Sequence, residues 1–289
     1  MQKNQFSIIV MVKNNDIHNF KILTIYSVIF YLLAYWVVFL SYNIFTALVA
    51  KLFDIKTILY HTKLLFVPKN GSPLWDYNSA FFVFSSGSIF LAILIIILLR
   101  VYKRTKYKNG LTKSFLFWII LHSINRIMGL FMIGTIFDLW YSNVIFDWLF
   151  VAYKIRIVLV IGVFALLFWI GRKTTRPFLL SAKSLNFVED RKRLFFVWSQ
   201  AFKVWFFSSI ILFVIHLPSF SLAENFLSVT MFLLILPIYF NYQHADIHSS
   251  TSEIEEPEYQ KPWKYIIWTL VLVLFVRIIL WKGIPFYFN

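Results

Sequence analysis

Residues 114–137, SFLFWIILHSINRIMGLFMIGTIF, decide the fold class. The stretch exceeds the roughly 20 apolar residues that cross a bilayer, yet it carries His122, Asn125 and Arg126 near its middle. Arg126 lies on the order of 17 Å from either end at about 1.5 Å rise per residue, too far for its side chain to reach the interface. An arginine at that depth costs roughly 2.5–3.5 kcal/mol on insertion scales. A helix repeats about every 3.6 residues, so His122, Asn125 and Arg126 share one face, which should look into a bundle or a wet cavity rather than into lipid.

The rest of the chain agrees with a membrane setting. Of 289 residues, 60% are hydrophobic and 14% charged. The expected fold is an all-α polytopic membrane protein of about seven transmembrane helices, folded as one membrane domain over 1–289, with the lipid bilayer as its first partner. The net charge of +15 does not mark a nucleic-acid partner, because Lys and Arg gather in the gaps between apolar runs. There is no Cys, hence no disulfide or thiolate chemistry.

Residues 1–21 read as a retained cytoplasmic arm and 22–50 as helix 1. The segment 51–80 alternates loosely and ends in the turn signal Lys69-Asn70-Gly71-Ser72-Pro73, which predicts a β-like element lying on the membrane. Helix 2 is expected over 81–102, opening with Ser85-Ser86-Gly87-Ser88, small residues that permit close packing. Helix 3 covers 114–137 and helix 4 covers 144–170. A basic loop over 171–203 is assigned to the cytoplasm, with an amphipathic surface helix over 185–200. A hairpin of two short helices over 204–220 and 225–240 follows, bent near Pro218 and Pro237, then an acidic cytoplasmic loop over 241–263 and a last helix over 265–281. With the N-terminus inside, 19 of the 28 Lys and Arg fall on the cytoplasmic side, five outside and four within helices. That asymmetry orients the chain, and a bacterial inner membrane is the expected location. Should only one helix of the hairpin span, everything after it flips.

The polar residues carry the functional options. The intramembrane polar face is assigned to His122, Asn125, Arg126, Asp147 and Lys154. Its bland reading is a buried knot that fixes packing, with Asp147 or Asp138 as the partner of Arg126. Its functional reading is a contact to an anion or lipid headgroup, or a proton relay step at His122. Asp147 and Lys154 stand two turns apart on one face of helix 4. Lys154 and Arg156 are interfacial if the true span begins near Val151, and Arg277, one turn before Trp281, is expected to snorkel outward. His244 and His248 have the i, i+4 spacing of a zinc-binding helix but sit in a polar loop with no evident third ligand. No cofactor is expected.

Residues 42–91, YNIFTALVAKLFDIKTILYHTKLLFVPKNGSPLWDYNSAFFVFSSGSIFL, resemble the first half of the site-2 proteases, intramembrane zinc metalloproteases. In that family a helix bearing His-Glu-x-x-His is followed by a β-like hairpin on the membrane and a helix that starts with small residues around a Gly. Here Ala47-Leu48-Val49-Ala50-Lys51-Leu52-Phe53 looks like the end of the first helix and Ser86-Gly87-Ser88 like the start of the next. The resemblance puts Tyr42 and Thr46 at the zinc-ligand positions and Asn43 at the general base. None of the three suits that chemistry, so it implies a degenerate, metal-free relative.

The leading functional expectation is a non-catalytic structural or regulatory subunit of a larger membrane complex, with other membrane proteins as partners and no nucleic acid. The alternatives are a transporter or lipid-handling protein that uses the His122 and Arg126 face, and a divergent membrane metallohydrolase.

Overall fold

The computed structural model describes residues 14–69, 71–105, 110–139, 142–182, 188, 190–219, 221–244 and 262–287. Seven helical stretches among them are long and apolar enough to cross a membrane, so the chain is an all-α polytopic membrane protein.

Helix α1 (Asn14–Leu52) is the spine. At about 1.5 Å per residue it is about 58 Å long, nearly twice a bilayer's hydrocarbon thickness, and it takes in residues 14–21 of the expected cytoplasmic arm. After it come strands β1 (Thr57–Leu59) and β2 (Leu64–Phe66), an antiparallel pair with Leu59 opposite Leu64. The interfacial β-like element is therefore a hairpin. Helix α2 (Tyr77–Arg104) starts four residues before the predicted boundary, because Asp76 caps it: Ser79 N–H donates to Asp76 Oδ1 at 2.7 Å and Asp76 N–H to Ser79 Oγ at 2.8 Å. The Ser79 N–H holds the Asp76 carboxyl below its usual range.

Helix α3 (Gly110–Ile136) is the most enclosed span, packed against α1. Tyr31 meets Trp118 edge-on there, ring centroids 5.0 Å apart. The single helix expected over 144–170 is two helices, α4 (Ser142–Trp148) and α5 (Tyr153–Leu179). Phe150, at φ 51°, breaks the run, and the Arg156 guanidinium ties the break together by donating to Val151 O, Asn143 Oδ1 and Asp147 Oδ1 at 2.8, 2.8 and 2.7 Å. The span starts at Tyr153, close to Val151, so Lys154 and Arg156 lie in its first turn.

The basic segment over 171–203, expected to be a loop, is largely helical among the described residues. Helix α5 continues through Pro177 to Leu179, and helix resumes at α6 (Asp190–Val197). A π-helical turn (Trp198–Phe202) then joins α6 to α7 (Lys203–His216) in one rod. The surface helix expected over 185–200 is thus largely the first part of a span, Lys192–His216, while residues 183–187 and 189 lie outside the described ones. The rod is fastened inside the bundle by polar contacts: Ser27 Oγ donates to Gln200 Oε1 at 2.8 Å and Gln200 Nε2 to Thr24 Oγ1 at 3.1 Å. Helix α8 (Leu222–Asn241) contains Pro237, and α9 (Trp263–Trp281) is the most peripheral along with α5.

The C-terminus supplies a strand that the sequence pattern did not suggest. Strand β3 (Ile284–Pro285) joins the other edge of β1, giving the order β2-β1-β3, and Trp281 stacks on His61 with centroids 5.4 Å apart. The hairpin and the end of α9 therefore lie on the same face. An even number of crossings must separate them, and α2, α3, α5, the α6–α7 rod, α8 and α9 supply six. Were one helix of the α7–α8 pair re-entrant, β3 would end on the opposite face from β1.

Candidate functional site

Two neighbouring features make the site: a closed polar knot in the bundle and an open cavity under the hairpin. In the knot Arg126 of α3 meets Glu224 of α8 through two hydrogen bonds, Nη2 to Oε1 at 2.7 Å and Nη1 to Oε2 at 3.1 Å. The two side chains are 3% and 1% exposed, so this is a bidentate pair held out of water. Glu224 lies in the first turn of α8, where the helix dipole favours a carboxylate, and Ser221 accepts the Glu224 N–H at 3.4 Å. The guanidinium lies over two rings of α1, Phe39 at 5.0 Å and Tyr42 at 4.9 Å.

A second layer continues from the carboxylate. Tyr35 Oη donates to Glu224 Oε2 at 2.9 Å and stands 2.9 Å from His216 Nε2, while His216 Nδ1 is 3.5 Å from Asn225 Oδ1. Asn125 Nδ2 donates to Leu227 O of α8 at 2.8 Å. His122 packs edge-on against Tyr31 at 4.3 Å. Beside these groups is a cavity of about 10 Å³, room for about one water, next to His122 Nε2 and Asn125 Oδ1, neither of which has a hydrogen bond to a described residue.

His122, Asn125 and Arg126 are thus together, facing protein, as the helical period requires. The other two members of the predicted face are not. Asp147 is committed to Arg156, and Lys154 stands exposed on α5 beyond the Phe150 break, so the two do not share a helix. Asp138 accepts from Asn143 Nδ2 and is likewise not the partner of Arg126. Glu224, Tyr35 and His216 are the members the sequence reading missed. One signal was available: Ser221-Leu222-Ala223-Glu224 has the S-x-x-E spacing that opens a helix, and Glu224 is the sole carboxylate between residues 204 and 240. Arg277 does turn toward the hairpin face, where it donates to Leu217 O at 2.5 Å and lies over Trp281.

The second cavity has a volume of about 560 Å³. Its walls are the Lys63–Lys69 part of the hairpin, the end of α1 with Tyr42, Asn43 and Thr46, Phe84 of α2, Leu139, and the start of α8 with Ser221, Leu222 and Ala223. Tyr42 belongs to both features, lining the cavity and lying under the Arg126 guanidinium of the knot. The cavity exists because α8 starts deep. Arg126 is ten residues short of the end of α3, about 15 Å at the helical rise, yet it pairs with the third residue of α8.

Asn43 is 3% exposed; its Nδ2 donates to Phe39 O at 2.9 Å, and Thr46 Oγ1 donates to Tyr42 O at 2.9 Å. Close packing of α1 on α2 sets this wall, since a Cβ on Gly87 would lie 2.6 Å from Thr46 Oγ1 and 2.7 Å from Tyr42 Cε2. At the rim Lys63 and Lys69 are exposed, and neither has an ion pair among the described residues. His61, in the hairpin turn, has its pKa held below 6.5 by burial, with the charges of Arg277 and His216 adding to the effect.

Among the described residues no group of three or more His, Cys, Asp or Glu could hold a metal ion. His244 ends a 3₁₀ turn (Tyr242–His244), and His248 lies outside the described residues. Compared with protein families, curated proteins and solved structures, the chain finds no match.

Proposed function

We propose that this chain is a non-catalytic membrane protein that takes part of an amphiphile from the bilayer into the cavity beneath its hairpin, a lipid-handling or lipid-sensing component. The observation that carries this reading is the cavity itself. Its volume of about 560 Å³ falls in the range of small-molecule pockets, and it combines apolar walls with a few polar groups. The intramembrane charges are spent elsewhere: Arg126 and Glu224 satisfy each other, so they hold α3 to α8 rather than offer a charge to a solute. In the proposed orientation the hairpin face, poor in Lys and Arg, is the non-cytoplasmic one, and the cavity meets the outer leaflet. Tyr42, Asn43 and Thr46 wall the cavity, and their chemistry supports binding rather than metal-dependent hydrolysis.

The test is native mass spectrometry of the full chain purified in mild detergent. A retained or re-added amphiphile at one per chain supports the reading, and Val67→Trp, at an exposed position on the cavity wall, should displace it without disturbing the bundle. A chain that binds no amphiphile refutes it. Recovery of fixed protein partners with the cavity empty would favour the role of a structural subunit instead.

A further inference from the structure

Resting on that reading, we infer that the cavity selects phospholipids whose headgroup joins a phosphodiester to an N–H or O–H donor. The phosphate half follows from the rim and the end wall. Lys63 and Lys69 place two cations at the mouth with no carboxylate among the described residues lining the cavity. The start of the 20-residue helix α8 forms the wall below, and there the Leu222 and Ala223 N–H groups have no intrahelical acceptor, those of Glu224 and Asn225 being taken by Ser221. The one acid in that turn, Glu224, is neutralised by Arg126 and so does not oppose an anion.

The donor half follows from Asn43. Its Nδ2 is committed to Phe39 O, whereas its Oδ1 has no partner among the described residues although the residue is 97% buried against the cavity. Beside it, Thr46 uses its hydroxyl proton on Tyr42 O, which leaves its oxygen as an acceptor. Two acceptors in a buried wall call for a donor in the ligand. The ammonium of phosphatidylethanolamine and the hydroxyls of phosphatidylglycerol supply one. The quaternary ammonium of phosphatidylcholine does not, and diacylglycerol lacks the phosphate.

These four lipids form the test, each titrated onto the full chain in detergent with retention read by native mass spectrometry. Phosphatidylethanolamine and phosphatidylglycerol should be held about three- to tenfold more tightly than phosphatidylcholine, the worth of one buried hydrogen bond, and diacylglycerol least. Lys63→Glu with Lys69→Glu, both exposed and so compatible with folding, should weaken the first two about tenfold. Asn43→Leu should erase their advantage over phosphatidylcholine. Equal retention of phosphatidylcholine and phosphatidylethanolamine by the wild-type chain, or unchanged retention by the double lysine variant, overturns the inference. If diacylglycerol is held as well as the rest, the amphiphile reading stands and this selectivity falls; if no lipid is held, both fall.

Discussion

Replacing Glu224 by Leu tests whether the Arg126–Glu224 pair is the clamp of the bundle. The substitution removes two charge-assisted hydrogen bonds, at 2.7 and 3.1 Å, and leaves a guanidinium that is 97% buried with its compensating charge gone. Stripping one partner from a buried ion pair costs about 3–5 kcal/mol, and Arg126→Met should cost a similar amount by leaving the carboxylate stranded. Replacing both, Arg126→Met with Glu224→Leu, removes the charges together and should cost only about 1–2 kcal/mol, mainly from the Tyr35 hydroxyl, which loses one of its two contacts. The double-mutant cycle therefore predicts a coupling energy of at least about 4 kcal/mol. Unfolding in mixed micelles by increasing SDS, followed by Trp fluorescence, reads all four proteins. A coupling near zero, or a double variant as unstable as the sum of the singles, would refute the clamp.

Tyr35→Phe should lose about 1 kcal/mol in the same titration, because one hydroxyl serves both Glu224 and His216. Gly171→Ala should cost about 1–3 kcal/mol, since its Cβ would run into Leu234 O of α8, a backbone atom that cannot rotate away; an unchanged midpoint would contradict the α5–α8 crossing. Gly283→Val should free the C-terminal strand, because φ is +80° there and a Cβ would lie 2.6 Å from Ile58 Cγ2, and the released tail should show faster carboxypeptidase trimming. The pH dependence of stability should carry a His61 component. Its folded pKa is depressed below 6.5, so the unfolded chain binds the proton more readily. That contribution is whole above about pH 6.5 and is lost as the pH falls from there through the lower folded pKa, and His61→Gln should flatten the acid limb of a midpoint-versus-pH curve.

The helices were legible because composition and length fix them: a run of apolar residues long enough to span a bilayer has few alternatives. The shared face of His122, Asn125 and Arg126 was legible for the same reason, since the helical period is local. What was not legible depends on distant contacts. Glu224 is 98 residues from Arg126, and nearness in sequence made Asp138 and Asp147 the natural candidates instead. The break at Phe150 hid inside an unbroken apolar pattern, because the Arg156 side chain supplies a carbonyl partner that a helix would otherwise provide. Strand β3 is two residues long and is defined only by its pairing with β1, so no local signal marks it. The β-like element was recognisable from its loose alternation, although the turn signal at 69–73 follows β2 and the hairpin turns at 60–63 instead; the cavity beneath it was not recognisable, since its walls come from stretches as far apart as Tyr42 and Ala223.

Shelter for Arg126 and space for a ligand have one structural cause. To reach a guanidinium about 15 Å inside the bundle, the carboxylate must sit deep, and because Glu224 is the third residue of its helix the whole start of α8 is drawn down with it. The volume left above that recessed helix end is what the hairpin roofs. On the proposed reading, ligand occupancy and the clamp are linked through Tyr42, which touches both the cavity and the guanidinium, and through Ala223, which lines the cavity one residue before Glu224. Anything bound there that excludes water also lowers the local dielectric around the pair and strengthens it. A retained phospholipid should accordingly raise the SDS midpoint of the wild-type chain more than that of the Arg126→Met, Glu224→Leu variant. Equal shifts in the two proteins would mean that the cavity and the clamp are neighbours without being coupled.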